Sequence, residues 1–159
     1  MIRATLFVIA LLSVVGCVSS QNDQSPVERA FQSTLLTLPS EGLGPQSLQV
    51  GQCGLWLWSQ TDTAKLIFFS RGQTGQAKLR LAGTTQTLTQ RAATGEIFGQ
   101  FLTDTVYVDQ SGGEVRVSLV PGDELIDGQR ISSGLITWTD AEGWQIKAPV
   151  LGVRACQVK

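Results

Sequence analysis

The chain is 159 residues long, with 12 basic against 13 acidic groups, no histidine, 42% hydrophobic residues, 17 glycines and 3 cysteines, a length that suits one domain. The near-neutral charge argues against nucleic acid as the main partner, because phosphate binding needs a basic surface. With no histidine, Ser-His-Asp and Cys-His catalytic arrangements and every histidine-ligated zinc site are excluded.

The chain opens with Met1-Ile2-Arg3, which supplies one positive charge, and residues 5–15 form an apolar run broken only by Ser13. These are the n-region and h-region of a secretory signal. A transmembrane helix wants about 20 apolar residues, whereas polar residues 19–23 follow here almost at once. The run ends in Val14-Val15-Gly16-Cys17, which resembles the lipobox of bacterial lipoprotein precursors, with Gly16 and Cys17 carrying the resemblance. It implies a signal peptide over 1–16, diacylglycerol transfer to the Cys17 sulfur, cleavage before Cys17 and acylation, such as palmitate, at the new amino terminus. Such chains anchor a protein at roughly 0.8 kcal/mol per buried methylene. Val18 in place of aspartate implies, in a two-membrane cell, an outer-membrane location facing the periplasm. The plain alternative is an ordinary secretory signal, or an uncleaved anchor, that contains a cysteine.

Residues 17–25, rich in Ser, Gln, Asn and Asp, are expected to be a flexible tether, leaving 26–159 as a single domain. Ser25-Pro26-Val27-Glu28 reads as an N-cap, a first-turn proline and a capping glutamate. Val27, Ala30, Phe31, Leu35 and Leu38 fall on one helical face and Pro39 ends the element, so a short helix packed on the domain is expected.

From residue 48 the period changes to two, with Thr, Val and aromatic residues enriched and regular turn signals. Strands are predicted at 48–59, 65–70, 76–82, 85–91, 97–103, 105–109, 114–120, 130–132, 135–139, 144–150 and 152–157. Facing residues of an antiparallel pair share a side, which suggests three hairpins. A turn at Gly83-Thr84 pairs Leu79 with Leu88, and a turn at Ser111-Gly112 pairs Val108 with Val115 and Val106 with Val117. A type I turn over 140–143 puts Trp138, Ile136, Trp144, Ile146 and Ala148 on one core face. Leu66-Ile67-Phe68-Phe69 is apolar on both faces and should be central or covered by the amino-terminal helix. The expected fold is all-β, an antiparallel meander closing as a small barrel or folding over as a sandwich, with one short helix.

With Cys17 lipidated, Cys53 and Cys156 remain as an even pair in an oxidising space. A structural disulfide tying the first strand to the last is expected, since C-x-x-C and histidine are both missing. No metal site and no cofactor are expected. The acidic run Pro121 to Gly128, with Asp123, Glu124 and Asp127, lacks EF-hand spacing and reads as solvated turn carboxylates in place of a calcium site. Gly72 to Lys78 precedes a strand and reads as a hairpin loop, because a phosphate loop opens a helix. Arg71, Lys78 and Arg80 read as solvation and edge protection.

Gly54-Leu55-Trp56 is similar to the G-x-W signature of lipocalins, in which a tryptophan at the closed end of the barrel is covered by an arginine of the last strand. Arg154 is the matching arginine. The resemblance implies an eight-stranded barrel with an apolar ligand held near Trp56 and Arg154. The run Gly51 to Trp58 with terminal Cys156 also looks like a group of bacterial envelope proteins, which implies a compartment and no activity. No catalytic residue is assigned. The leading expectation is a non-catalytic lipoprotein of the cell envelope, anchored to the membrane through Cys17, whose partner is an envelope protein or cell-wall component. The alternatives are a lipocalin-like carrier and a periplasmic hydrolase inhibitor.

Overall fold

Residues 41–61 and 63–158 are described in the computed structural model of the protein; the expected signal peptide, Cys17, the tether and the helix over 25–39 lie outside them. Eight strands follow one another: β1 (Cys53–Ser59), β2 (Leu66–Arg71), β3 (Gln76–Leu81), β4 (Thr84–Phe98), β5 (Phe101–Val108), β6 (Glu114–Leu125), β7 (Gly128–Thr139) and β8 (Gln145–Cys156). Each pairs antiparallel with the next, and β8 returns to β1 from Cys53↔Cys156 to Ser59↔Val150. The sheet is a closed barrel, so the sandwich alternative falls away. Cys53 and Cys156 form the expected disulfide, closing 103 residues of sequence, worth up to ~4.7 kcal/mol if the effect is chain entropy alone.

Eleven predicted segments become eight strands, because the gaps expected at 133–134 and at 151 lie inside β7 and β8 and the three segments over 85–109 form only β4 and β5. Gly152 lies inside β8, facing inward beside Leu57, where a Cβ would come 2.7 Å from Leu57 Cδ2. Gly134 lies inside β7, and a Cβ there would come 2.7 Å from Leu119 Cδ2. Both leave room for a neighbour's side chain without ending the strand. A bulge between Ile131 and Gly134 restores the inward phase across Ser132 and Ser133. The predicted strand 97–103 is instead cut by a turn at Gly99-Gln100.

Two of the three predicted hairpin registers are corrected. The β3–β4 turn is Ala82-Gly83, both at positive φ (48° and 81°), as a type I′ turn requires. Leu79 therefore faces Gln86, and Leu88 faces Ala77. That slip of two keeps the apolar side inward. The β5–β6 loop has three residues, Gln110-Ser111-Gly112, with Gly112 left-handed (φ 89°) and the Asp109 amide donating to the Gly113 carbonyl. An odd loop shifts the register by one, so Tyr107 faces Val115 and Thr105 faces Val117, while Val106 and Val108 point outward. The β7–β8 loop repeats this design with Gly143 at φ 89°. Trp138 and Ile136 face Ile146 and Ala148 as expected, but Trp144 lies beyond the barrel end, 77% exposed.

The interior is packed with side chains. Leu57, Phe68, Leu79, Leu88, Val115, Val117, Ile131, Ile136 and Val150 are buried at 2% exposure or less and belong to one cluster, each contributing about 1.5–3 kcal/mol. Phe68 packs edge-on against Tyr107 at 5.6 Å. Outside the barrel, Leu43 and Phe69 are also buried, because residues 41–52 run as a strap down the outer faces of β2 and β3. The Leu43 amide donates to the Leu66 carbonyl at 2.6 Å. Arg80 Nε donates to the Glu41 carbonyl at 2.9 Å, and its guanidinium pairs with the Glu41 carboxylate at 3.7 Å. Lys78 Nζ donates to Gln46 Oε1, and Arg71 Nη2 to the Ser47 carbonyl. Among the described residues it is this strap, not a helix, that covers the second face of Leu66 to Phe69.

Candidate functional site at the disulfide end

Up-and-down connectivity places the start of β1, the end of β8, the disulfide and the β2–β3, β4–β5 and β6–β7 turns at one end of the barrel. β4 outruns β3, pairing with it only as far as Thr89 and continuing to Phe98 with β5 alone. Two irregularities, between Gln90 and Ala92 and between Thr94 and Ile97, bend that hairpin. Its tip crosses the opening to reach β8. Phe98 and Phe101, with ring centroids 6.0 Å apart, join the interior cluster as a plug.

Arg154 completes the closure. It faces inward between Leu55 and Gln129. Its guanidinium lies over Gly99, where a Cβ would stand 2.8 Å from Nη1, and Nη1 reaches the Cys156 sulfur at 3.7 Å. Its Nε is buried with no hydrogen-bond partner among the described residues.

Trp56 is on the other side of the sheet. It faces Val153 and packs against Phe69 with centroids 5.1 Å apart. A Cβ on Gly54 would lie 2.7 Å from the Trp56 ring, so the glycine of Gly54-Leu55-Trp56 makes room for the indole on the outer surface. The structure does not bring Trp56 and Arg154 together. Arg154 covers a barrel end, but over Gly99 and the phenylalanine plug instead of a tryptophan.

Beside the disulfide, Gly51, Gln52, Cys53, Gly72, Gln73, Thr74 and Gln100 line an open cleft of about 250 Å³. Gln73 holds φ 68° at the β2–β3 turn. Three amides and a hydroxyl can both donate and accept, but none is a base or an activated nucleophile. Further in, Ser70, Thr105, Tyr107 and Gln90 border a cavity of about 40 Å³. Burial pushes the Tyr107 phenol up from its usual pKa, only partly opposed by its hydrogen bond to Ser70 Oγ at 3.5 Å. A phenol held in its neutral form is a poor base. Among the described residues no group of three or more Cys, Asp or Glu is placed to hold a metal. Asp123 and Glu124 lie at the end of β6, and Asp127 sits in the turn beyond it at φ 61°.

Sequence reasoning missed Asp109 at the opposite end. Its carboxylate accepts from Ser111 N, Ser111 Oγ, Gly113 N and Trp138 Nε1 at 2.6–3.0 Å. Burial works against its charge, yet these donors outweigh it and hold its pKa below the usual value. The signal was present as Asp-x-x-Gly, which occurs at 109–112 and again at 140–143. Arg71, Lys78 and Arg80 were noticed, but their role as clamps on the strap depends on a segment that carries no periodic signal. No family model matches the chain, and no curated protein or solved structure matches it either.

Proposed function

We propose that this is a lipid-anchored protein of the cell envelope, held to the outer membrane through Cys17 and facing the periplasm, whose barrel is a non-catalytic binding module for an envelope protein or a cell-wall component. The observation that carries the reading is the filled interior. With Leu57, Phe68, Leu79 and Leu88 at zero exposure and both phenylalanines of the plug buried, recognition falls to the outside of a rigid frame. Carrier sites enclose several hundred cubic ångströms of mostly apolar space, and the packing of these side chains works against that reading. The disulfide fits an oxidising compartment, and the lipobox supplies the anchor.

A specific observation keeps the hydrolase-inhibitor reading in second place. Ile126, at the tip of the β6–β7 turn, is 95% exposed, and a rigid apolar tip is the kind of group an inhibitor presents to a cleft.

The test is palmitate labelling of the full chain in a bacterial host, followed by crosslinking in intact cells. Label and membrane fractionation should both disappear with Cys17→Ser, and label that survives the substitution refutes the anchor. A crosslinked partner lost with Ile126→Asp would favour the inhibitor. An apolar small molecule retained by the purified protein and released on unfolding would overturn the reading in favour of a carrier.

A further inference from the structure

β7, β8 and β1 are adjacent in the barrel, and none of the three carries an acidic residue. The aspartates and glutamates among the described residues all lie on other strands or in loops. The outward positions of this wall are apolar at the centre and basic at the flanks. Trp58 stands opposite Leu151, and Pro149 opposite Leu135. Arg130 lies next to Val153 on one flank and Lys147 next to Thr137 on the other. Leu151, Leu135, Arg130 and Lys147 are exposed, and neither cation makes an ion pair or side-chain hydrogen bond among the described residues.

The chemistry selects one occupant. A second copy of the same wall would set cations against cations with no carboxylate to answer them. The neighbouring wall of β2 and β3 is already covered by the strap, whose carbonyls and Glu41 carboxylate satisfy Arg71 and Arg80. The exposed cations of β7 and β8 have no such partner among the described residues. Apolar side chains with an indole at their edge, flanked by unpaired Arg and Lys, match the boundary between acyl chains and phosphate headgroups.

We propose that the outer wall of β7, β8 and β1 docks on an anionic phospholipid surface, with Trp58 and Leu151 at headgroup depth and Arg130 and Lys147 among the phosphates. This deepens the lipid-anchored reading and rests on it for the nearness of a bilayer. Docking would hold the barrel flat on the membrane and aim the disulfide end and the Trp144 tip sideways.

The experiment uses the full acylated chain on vesicles of phosphatidylglycerol and phosphatidylethanolamine carrying brominated acyl chains, with tryptophan quenching as the readout. Quenching is expected on these vesicles, should survive Trp144→Phe, and should fall with Trp58→Phe. Removing two surface cations weakens attraction to an anionic leaflet about 30-fold. Arg130→Glu with Lys147→Glu should therefore abolish quenching at least that strongly, while acylated protein still floats with the vesicles.

Equal quenching on phosphatidylcholine, indifference to the double charge reversal, or loss of quenching with Trp144→Phe would each overturn the proposal. So would a lipid-free dimer that crosslinks through Leu151→Cys. Failure of the anchor reads separately, as palmitate label that survives Cys17→Ser. In that case unacylated chain is added to the same vesicles at saturating lipid, and quenching decides the docking on its own.

Discussion

Trp138 Nε1 donates to Asp109 Oδ2 at 3.0 Å, which ties β7 to the β5–β6 loop across the intervening strand β6. The same carboxylate takes Ser111 N and Gly113 N at 2.8 Å through its other oxygen. One side chain therefore shapes a hairpin loop, fixes its register and fastens it to the next hairpin.

Asp109 should make the far end of the barrel acid-sensitive. Its folded-state pKa is lowered, so its contribution is fully present above the unfolded pKa and is lost as pH falls through the folded one. Asp109→Ala removes the acceptor for four donors, and hydrogen bonds to a charged group are worth about 1.5–3 kcal/mol each, less what water returns. A loss of about 2–3 kcal/mol at pH 7 is expected from urea unfolding. The gap between wild type and variant should close below the acidic transition. A gap unchanged down to pH 2 would show that the carboxylate charge is not what holds the loop.

The strap gives a second prediction. Leu43 is buried outside the barrel and hydrogen-bonded to Leu66, and the strap's polar contacts come from side chains at its edges. Leu43→Ala should cost about 2 kcal/mol, the low end for buried leucine, because the site borders solvent and can collapse. Arg80→Ala should cost less than about 1 kcal/mol, since an exposed pair is weak. Both should speed amide exchange at Leu43 and Phe69 while leaving Leu57 and Val150 protected. Equal acceleration throughout the barrel would mean that the strap and the barrel open as one unit.

The sequence carried the strand pattern, the parity of β3 and the identity of the disulfide, because inward and outward positions alternate strictly where one face meets a packed core. It did not carry the register of β5 and β6, because a one-residue difference in loop length reverses every side chain, and Val106 and Val108 offered as plausible an apolar face as Thr105 and Tyr107. The continuity of β7 through Gly134 and of β8 through Leu151 and Gly152 was not legible, since local sequence cannot show that Leu119 and Leu57 need the space the two glycines leave. The placement of Trp56 and Arg154 failed for a related reason. Residues 56 and 154 have opposite parity relative to the interior, and that follows only from the pairing Leu55↔Arg154, which unites the two ends of the chain.

Gly99 and Arg154 give the third prediction, and two effects at this position can be separated. Gly99 holds φ 64°, so any L-residue there pays a left-handed penalty of about 1–2 kcal/mol. The added Cβ would also lie 2.8 Å from Arg154 Nη1 and 3.0 Å from its Cδ. The guanidinium is the flexible end of its side chain and can move, but it would have to leave its place over the hairpin tip beside the disulfide. Gly99→Ala should therefore cost about 2 kcal/mol in the wild-type background and only the backbone share of that in Arg154→Ala. A double-mutant cycle on thermal unfolding should thus show a coupling of about 0.5–1 kcal/mol. A coupling near zero would mean that the guanidinium slides away freely and that Phe98 and Phe101, not Arg154, hold the hairpin across the opening.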